Sequence, residues 1–345
     1  MKNKFQSTFS AANHSFAGAI CSVAVLLMAS RVQGQNLFVS DINSSNITEI
    51  TPGGAQSTFA SGVNPGGLAF NTAGDLFEAD INSGNIYEFT PSGAQSSFAS
   101  GLNTPIGLAF NSAGDLFEAD NGNGNIYEFT PSGVKSTFAA GVYPGGLAFN
   151  SAGNLFVGNG YSTITEIAPD GVQSTFASGL TAITGLAFNS AGDLFVGDSL
   201  DGIITEITPD GVQSTFASGL SDPQGLAFNS AGDLFEADAN SGNIYEFTPG
   251  YKNGDTLITY ASGLAGPIFL AFQPFPKLKI ASTSTNTVLI SWPAPSTGFV
   301  LEQNPALGTT NWSLTTNNVS AANGNKQVVI SPTTDNMFFQ LVNTQ

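Results

Sequence analysis

Short alternating runs dominate this chain. Residues 65–101 read PGGLAFNTAGDLFEADINSGNIYEFTPSGAQSSFASG. Four apolar-rich runs, 67–70, 76–80, 86–90 and 95–100, are separated by clusters of Gly, Pro, Asn and Ser. Each run is four to six residues long and rich in Phe, Ile and Tyr, so each predicts a β-strand bounded by turns. Apolar residues at helical spacing are missing beyond the N-terminal segment.

The unit then repeats. Leu-Ala-Phe begins at Leu68, Leu108, Leu147, Leu186, Leu226 and Leu270, while Leu-Phe begins at Leu37, Leu76, Leu116, Leu155, Leu194 and Leu234. A period of roughly 40 residues marks a repeat architecture. The fourth runs centre on Phe59, Phe98, Phe138, Phe176, Phe216 and Tyr260. The first copy lacks its Leu-Ala-Phe run and the last copy consists of that run alone. Residues 36–61 and 268–273 therefore add up to one unit. The expected fold is all-β, a six-bladed β-propeller over 35–273, closed by N- and C-terminal strands in one blade. Such closure removes open sheet edges.

Flanking segments break the pattern. Lys2, Lys4 and the apolar run 17–30 predict a secretory signal over 1–34, since that run is shorter than the roughly 18 residues of a membrane span. After Gln273-Pro274-Phe275-Pro276, residues 277–345 show alternating runs at 278–281, 288–292, 299–303, 328–330 and 338–342. These predict a small β-sandwich.

Removal of the signal would change the chemistry available. The only His (His14), Cys (Cys21) and Arg (Arg31) leave with it, and five lysines face 25 acids, a formal charge of −20. That charge disfavours nucleic acid and anionic membranes. Ser–His and Cys–His nucleophile schemes are excluded in the exported chain. The expected protein is a secreted, periplasmic or cell-surface monomer, not inserted in a membrane. Its partner would be an extracellular or periplasmic protein, a sugar or a cation.

The copies differ at one informative place. The third residue of the second strand is Glu78, Glu118 or Glu236 in three units and Val39, Val157 or Val196 in the others. Tyr87, Tyr127 and Tyr245 accompany the Glu units; Thr48, Thr165 and Thr205 accompany the Val units. A hairpin sets Glu78 opposite Tyr87, where the hydroxyl could donate to the carboxylate. Asp80, Asp120 and Asp238 share that face, and Asn82, Asn121 and Asn240 follow in the turn. These residues, with Asp222, are the candidate ligand-binding set. Glu78, Glu118 and Glu236 are candidate ligands for a divalent cation such as calcium. The simpler reading is that Asp and Asn bond their own turn and that Glu and Tyr pack. The third-strand acids Glu49, Glu88, Glu128, Glu166, Glu206 and Glu246 are expected as solvated rim charges. The face carrying Asn64-Pro65, Asn103-Thr104, Tyr143-Pro144 and Asp222-Pro223 is expected to be polar, acidic and poor in apolar anchors.

Pro-x-Gly-Leu-Ala-Phe, Gly-Asp-Leu-Phe-Glu/Val-Ala-Asp and the Asn before Ile resemble NHL-repeat propellers and the gluconolactonase (senescence-marker-protein) propellers. The gluconolactonase resemblance implies a metal in the central mouth, held by Glu, Asn and Asp at inner strands. Gly66, Ile106, Gly145, Thr184, Gln224 and Pro267-Ile268 occupy the places before the inner-strand Gly or its equivalent, and none is acidic or Asn. Streptogramin lyases, another propeller family, use a His that the exported chain lacks. Ser291-Trp292-Pro293 with Phe299-Val300-Leu301-Glu302 resembles a fibronectin type III module. The expected function is a binding or interaction module with no evident catalytic site. The alternative is a divalent-metal-dependent hydrolase of the gluconolactonase type with a relocated acidic site.

Overall fold

The computed structural model describes residues 23–25, 34–160, 162–284, 287–293, 299–304, 311–322, 325–331 and 337–343. Most of the signal segment lies outside these residues. Contacts divide the chain into two compact units, Gly34–Phe275 and a second drawn from Met1–Gln33 and Pro276–Gln345. All described regular structure is β, and no helix is long and apolar enough to cross a membrane among the described residues.

The larger unit consists of four-stranded antiparallel sheets, or blades, each running from an inner to an outer strand. Blades 1 to 5 begin at inner strands Pro65–Phe70, Pro105–Phe110, Pro144–Phe149, Ile183–Phe188 and Pro223–Phe228. Blade 6 combines the inner strand Pro267–Phe272 with Leu37–Asp41, Asn46–Ile50 and Gln56–Ser61. Leu37 pairs with Phe272, Phe38 with Ala271 and Val39 with Leu270.

Alternation along the second strand explains how blades stack. In blade 1, Phe77, Ala79 and Ile86 point one way and meet Leu108, Leu116 and Phe129 of blade 2. Leu68, Leu76 and Phe89 point the other way and meet Phe38 and Ile47 of blade 6. The second-strand Phe is the hinge-pin of each seam. Phe77 stands edge-on to Phe98 of its own blade and Phe110 of the next, at 5.0 and 5.1 Å. Equivalent pairs join the other seams, including Phe38–Phe70 and Phe235–Phe272. Edge-to-face aromatic pairs contribute about 0.5–1.5 kcal/mol beyond the area they bury.

Inner strands of neighbouring blades also touch one another. Glycine permits this approach. A Cβ on Gly107 would lie 2.3 Å from the Gly145 carbonyl oxygen, and one on Gly67 would lie 2.4 Å from that of Ile106. Blade 6 has Phe269 at this place, and its register shift falls between Ser40 and Asp41.

In the smaller unit, one sheet runs in the order Lys279–Ser282, Val288–Pro293, Asn325–Ile330, Ser320–Ala322. The other contains Met337–Asn343, Phe299–Asn304 and Ser313–Leu314. Trp292, Ile290 and Val328 of the first share a core with Leu301 and Phe339 of the second. The short strand Val23–Val25, expected to leave with the signal, pairs in parallel with Met337, Phe338 and Phe339 in the full-length chain. A β-branched apolar segment satisfies its backbone most readily along an unpaired strand.

Gly107→Ala should test the inner-strand contact. We expect a loss of about 1–3 kcal/mol in denaturant unfolding, because the added carbon must displace backbone. An unchanged midpoint would show that inner strands do not approach as described.

Candidate functional site

The last residue of each second strand is a clamp rather than a free ligand. Asp80 accepts the amides of Asn64 and Ser83, both at 2.8 Å. Asp120 accepts the amides of Asn103 and Asn123, at 3.0 Å each. Asp238 accepts those of Ser221 at 2.6 Å and Ser241 at 3.0 Å. Asp41 does the same for Ala265 and Gly266, and Asn159 accepts the Tyr143 amide. Each clamp ties the loop entering the inner strand to the end of strand two. At Asp198, burial pushes the carboxyl up, but hydrogen bonds from Thr181, Asp201 and Ala182 outweigh it and hold the group below the usual range.

The other candidates are scattered. Asn82 and Asn240 are exposed turn residues. Asn121 Nδ2 donates to the Pro144 carbonyl at 3.1 Å. Asp222 Oδ1 accepts from Gln224 Nε2 at 2.7 Å. Among the described residues, no group of three or more His, Cys, Asp or Glu side chains is arranged to hold a metal.

Glu78, Glu118 and Glu236 are fully buried, each 0 % exposed. They sit in three seams. Glu118 and its partner Tyr127 face Ala79 and Ile86 across the blade 1–2 boundary, and the repeat places Glu78 and Glu236 in the seams between blades 6 and 1 and between blades 4 and 5. The register sets Glu78 opposite Tyr87, Glu118 opposite Tyr127 and Glu236 opposite Tyr245. The expected hydroxyl-to-carboxylate bond does not form. Tyr87, Tyr127 and Tyr245 instead accept from Asn85, Asn125 and Asn243, two residues back on the same strand, at 3.0–3.1 Å. Among the described residues, no oxygen of Glu78 or Glu118 has a hydrogen-bond partner, and at Glu236 only the Gln224 backbone amide comes near, outside good hydrogen-bond geometry. Burial, then the Asp80 charge, pushes Glu78 up to about 8. Burial and Asp120 push Glu118 up to about 9, against the pull of Lys135. Burial, Asp238 and Asp222 raise Glu236 well above its ordinary value, and the nearby Gln224 amide opposes them. Glu78 and Glu118 are therefore neutral acids at pH 7, and Glu236 is pushed the same way.

The third-strand acids also depart from expectation. They are half-buried, and two accept amide donors: Glu49 from Asn36 and Glu166 from Asn154, each at 2.6 Å.

A concave site does exist, and it is apolar. A cavity of about 570 Å³ opens where the inner strands begin. Ile81, Ile106, Ile183, Ile268, Phe269 and Tyr143 supply its apolar wall. Asn121, Thr184 and Gln224 supply polar groups, and among the described residues no charged side chain lines it. Tyr143 is 71 % exposed at its lip. The cavity supplies large apolar anchors that this face was not expected to carry. Of the residues singled out for ligand binding, only Asn121 borders the cavity.

No family model matches the chain, and no curated protein matches it significantly. Its fold is similar to solved structures. A chain of a nidogen/laminin complex aligns with TM-score 0.63 and 17 % identity, over 70 % of this chain and 99 % of that one. A streptogramin B lyase aligns with TM-score 0.55 and 15 % identity, over 82 % and 94 %. Virginiamycin B lyase from Staphylococcus aureus aligns with TM-score 0.51 and 12 % identity, over 77 % and 94 %. At these identities the likeness shows the fold alone, a β-propeller.

The buried acids predict an unusual pH response. Between the ordinary value of 4.5 and about 8, the folded chain keeps protons that the unfolded chain releases. Stability therefore falls as pH rises through that window, by up to about 1.4 kcal/mol per pH unit for each carboxyl. Replacing Glu118 with Val and Tyr127 with Thr, the pair present as Val157 and Thr165 in blade 3, should flatten the slope and raise Tm at pH 8. An unaltered Tm–pH curve would contradict the neutral-acid assignment.

Proposed function

We propose that this chain is an exported binding module, a six-bladed ring closed by its own N- and C-terminal strands, with its ligand site at the axial cavity. One observation carries the reading: positions that line that cavity differ from blade to blade, while the strands that build the blades recur. Leu-Ala-Phe and Leu-Phe recur with almost no change. By contrast, the second inner-strand residue is Gly66, Ile106, Gly145, Thr184, Gln224 and Ile268 in turn, and the residue after the clamp is Ile81, Asn121 and Gly160 where it reaches the wall. Duplication alone would copy these positions too. Their divergence makes one asymmetric pocket out of a symmetric scaffold.

Pocket chemistry narrows the ligand. Four Ile side chains, Phe269 and Tyr143 favour a molecule with substantial apolar surface, oriented by Asn121, Thr184 and Gln224. The strongly acidic chain around it favours neutral or cationic ligands. A hydrolase built on Glu78, Glu118 or Glu236 would need carboxylates that reach substrate. These three are enclosed between blades, which supports binding over turnover.

Titration with a neutral fluorescent naphthylamine should show saturable one-to-one binding. Ile183→Asp should weaken it tenfold or more, because a charge enters the apolar wall, and Tyr143→Ala should weaken it several-fold. Equal binding by wild type and Ile183→Asp would remove the axial cavity as the site.

A further inference from the structure

The outer hairpin of blade 5 departs from its copies. In the other blades a short turn closes this hairpin, and its Gly amide donates to the carbonyl three residues back, as Gly93 does to Thr90 and Gly211 to Thr208, each at 2.8 Å. Blade 5 instead carries a longer connection between Asn243–Phe247 and Ile258–Ala261. Tyr251 anchors it, edge-on to Phe247 at 4.8 Å and tilted against Phe216 of blade 4 at 5.3 Å. The tip is a turn over residues 252–255. The Asp255 amide closes it on the Lys252 carbonyl at 2.9 Å, and the Lys252 amide donates to Asp255 Oδ2 at 3.0 Å. Asn253 and Gly254 stand exposed at its centre. Gly254 takes a φ of +99°, and a Cβ placed on it would meet nothing within 4 Å.

An Asn-Gly step is chemically labile, because Gly leaves its own amide nitrogen unshielded beside the Asn side chain. Four such steps lie among the described residues, and three are restrained. The Gly122 amide donates to the Asn103 carbonyl, Gly124 to Asp120 and Gly160 to Tyr143, each at 2.9 Å. Their Asn side chains are held as well. Asn121 Nδ2 donates to the Pro144 carbonyl, Asn123 Nδ2 to Asp120 Oδ2 and Asn159 Nδ2 to Thr165 Oγ1. A nitrogen whose hydrogen is engaged gives up its proton less readily. At the fourth step, neither the Gly254 amide nor Asn253 Nδ2 has an acceptor among the described residues. The one bond to that side chain favours reaction: Ser218 Oγ, on the outer strand of blade 4, donates to Asn253 Oδ1 at 2.8 Å.

We propose that Asn253–Gly254 is a self-modification site, at which the asparagine converts to aspartate and isoaspartate. The deprotonated Gly254 nitrogen attacks Asn253 Cγ, and a C–N bond forms. Negative charge develops on Oδ1, where the Ser218 hydroxyl already donates. The Cγ–Nδ2 bond then breaks, and Nδ2 leaves as ammonia, its third hydrogen replacing the proton lost from Gly254. The succinimide ring so formed projects into open space. Solvent water opens it at either carbonyl, and nothing is oxidised or reduced. Opening at one carbonyl gives aspartate. Opening at the other gives isoaspartate, which routes the main chain through the former side chain and lengthens the turn by one carbon. Either product adds a carboxylate close to Asp255. The site is separate from the axial cavity and stands or falls without it.

Peptide mapping by mass spectrometry tests the proposal on the full-length protein, incubated in mildly alkaline buffer with and without denaturant. In the folded protein, Asn253 should convert about tenfold faster than Asn121, Asn123 and Asn159. In denaturant the four should convert at similar rates, because the hydrogen bonds that separate them are gone. Ser218→Ala should slow conversion of Asn253 several-fold in the folded protein and leave its rate in denaturant unchanged. Ammonia released early in the folded incubation should match the Asn253 converted. An Asn253 that stays intact in the folded protein, conversion there no faster than at the three restrained steps, or an equal folded rate in Ser218→Ala would overturn the proposal.

Discussion

The edge-on phenylalanine of each second strand is the contact on which the larger unit depends. Phe38, Phe77, Phe117, Phe156, Phe195 and Phe235 each touch an aromatic ring on the outer strand of their own blade and another on the inner strand of the next. A single four-stranded sheet cannot bury both of its faces alone. These rings make every blade a lid for its neighbour, and Phe235–Phe272 and Phe38–Phe70 carry the arrangement across the composite sheet. Without disulfides in this unit, seam burial and backbone pairing supply its stability.

That constraint explains where variation is tolerated. Seam positions must interdigitate with a copy of themselves, so they repeat. Clamp residues must satisfy the same loop amides, so they remain Asp or Asn. Residues lining the axial cavity need not interdigitate with a copy of themselves, and they diverge. The neutral Glu side chains are the costly exception in the seams. Three blades accept a buried carboxyl where the other three carry Val39, Val157 and Val196. Such groups lower stability at neutral and alkaline pH, because ionisation is easier in the unfolded chain.

The two ends of the sheets carry different chemistry. The axial cavity is uncharged and apolar, suited to a molecule that hides from water. The other end carries the half-buried third-strand acids. The cavity arises where inner strands of several blades meet, not within a single repeat.

Periodicity of Leu-Ala-Phe and Leu-Phe, turn residues between short runs, and the Glu/Tyr alternation with Val/Thr were all legible in the sequence. Strand placement followed from them, because alternation and turn chemistry act within a few residues. Asp80, Asp120 and Asp238 could be read as turn-binding residues for the same reason. The sequence also displayed Ile106, Thr184, Gln224 and Ile268, but only as an interruption of the expected metal pattern. That they share one apolar cavity depended on bringing inner strands of several blades together, over separations of about 40 residues each. Likewise, local pairing set each Tyr beside a Glu. Only the packed seam decided that the Tyr hydroxyl turns to Asn and leaves the acid unpartnered, because burial and the neighbouring blade fix its direction.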